Sequence, residues 1–196
     1  LLLFVTSLHA THYSYTNGVV ENGDFNVDRE VKQGSNYIEV TYRFGGFTVE
    51  KTTIGGKDLH SIRINSIPVV GEKGNPELPA ITDLLSVASS NVKVEVVNQT
   101  FKEYKTFYIA PSKGAICQSE TEVSDSLVFS DVYNKNAYFP ESGANLLTVQ
   151  SYRSYPFASV RLNPIQFNPV TKTIKCYTEI TYRLSWIKSD FHSEAA

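Results

Sequence analysis

The sequence predicts an all-β fold: an antiparallel, β-sandwich-like domain with little helix. Three observations carry this. Apolar and polar residues alternate along several stretches, the period-2 pattern of a strand with one wet face. Twelve Tyr and eleven Phe stand beside many Val, Ile and Thr, the side chains that suit a pleated, half-buried surface. Glycine, proline and asparagine punctuate these stretches at short intervals, while no window of twelve or more residues shows helical spacing with caps.

Leu1 to Ala10 is a short apolar run ending in small residues, and a polar stretch from Thr11 to Asn17 follows. A membrane span needs about 20 apolar residues, so the run reads as the later part of a secretory signal peptide cleaved after Ala10. The alternative is an N-terminal core strand. The chain contains no methionine, and the expectation is a fragment of a longer reading frame that is exported.

The first clear strand spans 37–44, with Ile38, Val40, Tyr42 and Phe44 on one face and Tyr37, Glu39, Thr41 and Arg43 on the other. Gly45-Gly46 and Gly55-Gly56 break the early strands into short segments, and His60 alternates with Ile62 and Ile64 on another. Gly71-Glu72-Lys73-Gly74-Asn75-Pro76 reads as a long turn, after which Pro76 and Pro79 keep the chain extended. Val92, Val94 and Val96 alternate with Lys93 and Glu95. A short turn of helix is expected near Pro140 to Asn145. Asn168-Pro169-Val170-Thr171 reads as a hairpin turn. From Thr173 to Trp186, Ile174, Cys176, Ile180, Tyr182, Leu184 and Trp186 share one face, with Lys175, Glu179, Thr181, Arg183 and Ser185 opposite. Residues 188–196 lose the pattern and read as the start of a linker, which leaves 11–187 as the domain.

With 41 % apolar and 19 % charged residues and a net charge of −2, the composition is that of a soluble globular chain. No basic stripe exists to hold a phosphate backbone, which argues against nucleic acid as a partner. His9, His12, His60 and His192 lack ligand spacing, so neither a metal nor a cofactor is implied. Cys117 and Cys176 are too few for a disulfide scaffold; a single pair and two free thiols are both open. Asn98-Gln99-Thr100 fits a glycosylation acceptor, a short motif that carries little weight alone. Tyr133, Tyr138, Phe139, Tyr152 and Tyr155 are divided between interface and core.

Four stretches resemble the propeptide of the gingipain family of cysteine endopeptidases. They are Gly71-Glu72-Lys73-Gly74-Asn75-Pro76-Glu77-Leu78-Pro79, Lys93-Val94-Glu95-Val96-Val97, Ile109-Ala110-Pro111-Ser112-Lys113-Gly114, and Phe167-Asn168-Pro169-Val170-Thr171-Lys172-Thr173 continuing into Tyr177-Thr178-Glu179-Ile180. Each is weak alone; in this order they are specific. The similarity is closer to the arginine-specific members, and residues 11–66 share only strand-rich character.

The resemblance implies an exported module, not itself an enzyme, that inhibits and escorts a cysteine-protease domain lying downstream. The catalytic Cys and His are then expected beyond Ala196. It also implies an inhibitory loop from about Lys113 to Asp125, entering the active-site cleft through Lys113, Gly114, Ala115, Ile116, Cys117, Gln118, Ser119 and Glu120. In arginine-specific members an arginine follows the Pro-Ser-Lys-Gly stretch by four positions; here that position is Gln118, which becomes the residue expected in the specificity pocket. Lys113 is the second candidate, and a plain polar surface loop is the alternative. Cys117 lacks any surrounding catalytic motif and is not read as a nucleophile. Two rival readings stay open: an adhesion or ligand-binding β-sandwich of a surface protein, and a propeptide-like domain of an envelope protease serving secretion, since fold alone does not fix function.

Overall fold

The computed structural model describes residues 10–54, 56–114, 127–153 and 155–187. The long alternating stretch near the C-terminus becomes β14 (Thr173–Trp186), the centre of the largest sheet. β10 (Val92–Lys105) pairs along its whole length on one side. On the other side β4 (Tyr37–Phe44) covers the C-terminal half and β13 (Ile165–Asn168) the N-terminal half. β3 (Val27–Gln33) pairs with β4. The register between β10 and β14 shifts at Val96/Asn98 and again at Thr100/Phe101, irregularities of the kind that add twist to a long pair.

A second sheet runs in the order β2 (Gly18–Val20), β1 (Ala10–Ser14), β5 (Gly46–Ile54), β6 (Lys57–Arg63). A third places β12 (Tyr155–Leu162) between β11 (Ala144–Tyr152) and β9 (Ile81–Ser86). A two-stranded ladder joins β7 (Val69–Val70) to β8 (Leu78–Pro79). All of these ladders are antiparallel. Ala10, the last residue of the expected leader, is the first of β1 and lies opposite Glu50.

The faces follow the alternation. Ile38, Val40, Tyr42 and Phe44 are buried on β4, as are Ile174, Cys176, Ile180, Tyr182, Leu184 and Trp186 on β14. They meet Phe47, Val49 and Ile62 from the second sheet and Ala158, Val160 and Leu162 from the third in one apolar cluster. Burying each large aliphatic side chain is worth roughly 1.5–3 kcal/mol, so this shared interior is the main force joining the sheets.

One charge sits in it. Asp83 of β9 is buried, and both carboxylate oxygens are used: Tyr42 donates to Oδ1 at 2.9 Å and Tyr182 to Oδ2 at 2.5 Å, while Arg29 reaches Oδ1 at 3.2 Å. The third sheet is thereby tied to β3, β4 and β14 of the first. Burial first, and then the neighbouring carboxylate, push both phenols well above the usual tyrosine range, so they remain donors.

The helical turn expected near Pro140 to Asn145 is not there. Residues 140–143 are bends, β11 begins at Ala144, and the helical turn of the described residues is a 3₁₀ turn at Asp131–Asn134. The reason is competition for carbonyls. Asn163 Nδ2 donates to Ser142 O and Asn163 N to Gly143 O, while Gln166 Nε2 donates to Pro140 O. An α-turn would need those acceptors for itself.

Candidate functional site

The stretch Ile109 to Gly114, where the expected inhibitory loop begins, is threaded between β6 and the turn that connects β7 to β8. His60 N donates to Tyr108 O at 2.8 Å and Ala110 N returns to His60 O at 3.0 Å, making an isolated parallel bridge. The His60 ring adds a third tie, its Nδ1 accepting Tyr108 N–H at 3.1 Å, a role that needs the ring neutral at that nitrogen. Burial is the leading cause that holds the His60 imidazole below its usual range.

The turn clasps the other side of the same strand. Glu77 N donates to Ala110 O, Ser112 N to Asn75 O at 2.8 Å, and Gly74 N to Ser112 O at 2.9 Å. The Ser112 hydroxyl donates to Gly71 O at 3.0 Å and accepts Gly114 N at 3.1 Å. Two glycines make this approach possible. Gly74 sits at φ +87°, in the left-handed region, and a Cβ on Gly71 would lie 2.6 Å from Ser112 Cβ.

The next described stretch, from residue 127, meets the same turn. Ser130 N donates to Gly74 O at 2.9 Å and its hydroxyl to Asn75 Oδ1 at 2.6 Å. Gly74 and Asn75 therefore hold both Ser112 and Ser130. Behind them Phe129 and Tyr133 pack edge to face at 4.8 Å, and Tyr108 and Phe167 complete the aromatic group. Tyr133 also donates its hydroxyl to Ile109 O at 2.9 Å, and Lys57 Nζ sits 4.9 Å from the centre of the Phe129 ring. What this arrangement offers is a hydrogen-bonded frame that fixes Ser112 and Ser130 to one turn.

Of the residues expected in the loop, the structure places two. Lys113 is exposed, and Gly114 adopts φ +78° against Lys73. Ala115, Ile116, Cys117, Gln118, Ser119 and Glu120 lie outside the described residues. Cys176 is a fully buried free thiol whose acidity burial suppresses. The aromatics divide: Tyr133 is buried, Tyr138 is half-buried and donates to Glu103, and Tyr155 is exposed. Phe129 and Ser130 are not singled out by the sequence, and Asn75 is read there as a turn residue and not as the partner of Ser112 and Ser130. Three residues prone to local hydrogen bonding or positive φ in one turn, Gly71, Gly74 and Asn75, are the available clue.

Residues 21–195 match the family model Propeptide_C25. The chain belongs to this propeptide family. This C25 propeptide is 40 % identical over 117 residues to gingipain R1 of Porphyromonas gingivalis, a match spanning 59 % of the chain and 12 % of the relative's length. To Lys-gingipain of the same species it is 24 % identical over 164 residues, 78 % of the chain and 9 % of that relative. The motif-level impression of a closer tie to the arginine-specific members thus holds. Among solved structures it is similar to the complex of Porphyromonas gingivalis RgpB pro- and mature domains, with a TM-score of 0.75 at 30 % identity, covering 83 % of this chain and 85 % of that one. The chain is a prodomain and not a catalytic unit.

Proposed function

We propose that this C25 propeptide is the inhibitory and folding-assisting segment of a gingipain-like cysteine endopeptidase precursor. It keeps the protease domain that follows it latent by inserting the loop beginning at Lys113 into the active-site cleft. The single observation that carries this reading is the double clasp, with Ser112 and Ser130 bound to the same Gly74-Asn75 pair. A loop fixed at both ends enters a cleft at a lower ordering cost than a free tail does. The pairing of pro- and mature domains in the RgpB complex supports the choice of partner. Export through the leader at residues 1–10 and a location in the bacterial envelope or outside the cell belong to the same proposal, as do a domain at 11–187 and a linker from 188.

Gln118 is the pocket residue in this reading, with Lys113 as the second candidate. A pocket that pairs a guanidinium with a carboxylate loses charge-assisted hydrogen bonds to a glutamine, each worth about 1.5–3 kcal/mol. Titrating the chain and its Gln118→Arg and Gln118→Ala variants against the downstream protease domain tests the assignment. Inhibition by the wild type that the Ala change weakens supports Gln118 in the cleft. Failure of all three to bind would sink the latency reading.

A further inference from the structure

The frame that holds the loop has a second side. Between the Gly71–Pro76 turn and the outer face of the β11-β12-β9 sheet lies a cleft of about 430 Å³, lined among others by Glu72, Leu78, Phe139, Asn145, Leu147 and Arg161. Arg161 stands on the central strand, β12, between Asn145 and Thr82 on its neighbours. Val160 and Leu162 beside it are fully buried, so Arg161 belongs to the opposite face. Its Nε is buried and has no hydrogen-bond partner. Arg29, Arg43, Arg63 and Arg183 each face a carboxylate: Asp83, Glu179, Glu50 and Glu39 respectively. Among the described residues Arg161 has none. Glu72 lines the same cleft, forms no ion pair with it and instead accepts Asn75 Nδ2 at 3.4 Å.

We infer that this cleft is a carboxylate-binding site that receives an acidic side chain, flanked by apolar residues, from the protease domain the propeptide holds. A guanidinium has five donors and no acceptor, and it favours planar two-oxygen anions. Among the described residues that charge has no carboxylate beside it, and one entering the cleft that Arg161 lines supplies the missing partner. Leu147, which is 43 % exposed, and Leu78 with Phe139 supply apolar walls beside the charge. Glu72 repels a second acid, so the site takes one carboxylate and not an acidic run. The choice of partner rests on the proposed function. Gly71, Glu72, Asn75 and Pro76 line the cleft and also form the turn that clasps the loop base, so a domain engaging the loop is brought against this wall.

Affinity measurements between the chain and the downstream protease domain test this, using wild type, Arg161→Gln, Arg161→Lys and Asn145→Asp. The first variant removes the cation; the last supplies a carboxylate within the cleft at an exposed position that leaves the core alone. Truncating one partner of a buried charge pair predicts binding weakened at least about tenfold for Arg161→Gln and for Asn145→Asp, with Arg161→Lys in between. The gap between wild type and Arg161→Gln should narrow as salt is raised, which a merely structural loss would not do. Wild-type binding that neither Arg161→Gln nor Asn145→Asp alters would overturn the site while leaving latency standing. Absence of wild-type binding would remove both the partner and this occupant.

Discussion

At the scale of single residues, the fold depends on a charge placed where only distant parts of the chain satisfy it. Asp83 is served by Tyr42, Arg29 and Tyr182, which lie 41, 54 and 99 residues away. Removing the carboxylate leaves two buried hydroxyls and a guanidinium without their acceptor. Asp83→Ala should therefore lower stability by about 3 kcal/mol in a denaturant titration. Tyr182→Phe, which deletes one donor and keeps the ring, should cost about 1–2 kcal/mol. His60 makes a different kind of statement. Burial holds its folded-state pKa below that of the unfolded chain, so between the two values the unfolded state binds more protons. Its contribution is present above about pH 6.5, the unfolded value, and is lost as the pH falls below it. Unfolding free energies at pH 7.5 and 5.5 should show a drop that is smaller in His60→Asn, whose Oδ1 takes the place of the Nδ1 that accepts Tyr108 N–H and does not titrate. An equal drop in both proteins would remove His60 as the cause.

At the scale of elements, the turn between β7 and β8 fixes the positions of Ser112 and Ser130. A methyl group at Gly71 meets Ser112 Cβ at 2.6 Å, and one at Gly74 must adopt φ +87°. Gly74→Ala should cost about 1–2 kcal/mol in stability. Gly71→Ala should shift Ser112 and weaken inhibition of the protease domain by more than its effect on thermal unfolding accounts for. The strands themselves are legible in the sequence, because alternation at 38–44 and 174–186 follows directly from which face meets the core. The Gly71–Pro76 stretch is legible as a turn for the same local reason. Its role as a clasp is not, since Asn75 finds Ser130 from 55 residues away. Asp83 is equally silent, lying in the run Ile81-Thr82-Asp83-Leu84-Leu85 with no local sign of burial. The expected helical turn at 140–145 misleads because its carbonyls are claimed by Asn163 and Gln166, partners that no local pattern reveals.

At the scale of the whole molecule, the proposed function predicts that folding and inhibition are separable. The apolar interior formed by the described residues joins the three larger sheets, and Ser112 and Ser130, on either side of residues 115–126, are both fastened to the Gly74-Asn75 pair. A chain in which a short Gly-Ser bridge replaces 115–126 keeps Tyr133 on Ile109 O, Ser112 on Asn75 O and Ser130 on Gly74 O. Its loop-closure cost changes little, since shortening a flexible loop by half recovers only about 0.6 kcal/mol. It should therefore unfold within about 1 kcal/mol of wild type. Its docking surface, including the Arg161 cleft, is intact, so it should still bind the protease domain, though more weakly. What it should lose is inhibition, measured as residual peptidase activity at saturating propeptide. Full activity in the bound complex would show that the loop blocks the cleft and the sheets only carry it there. Undiminished inhibition by the bridged chain would instead place the block on the sheet face and take the loop out of the mechanism.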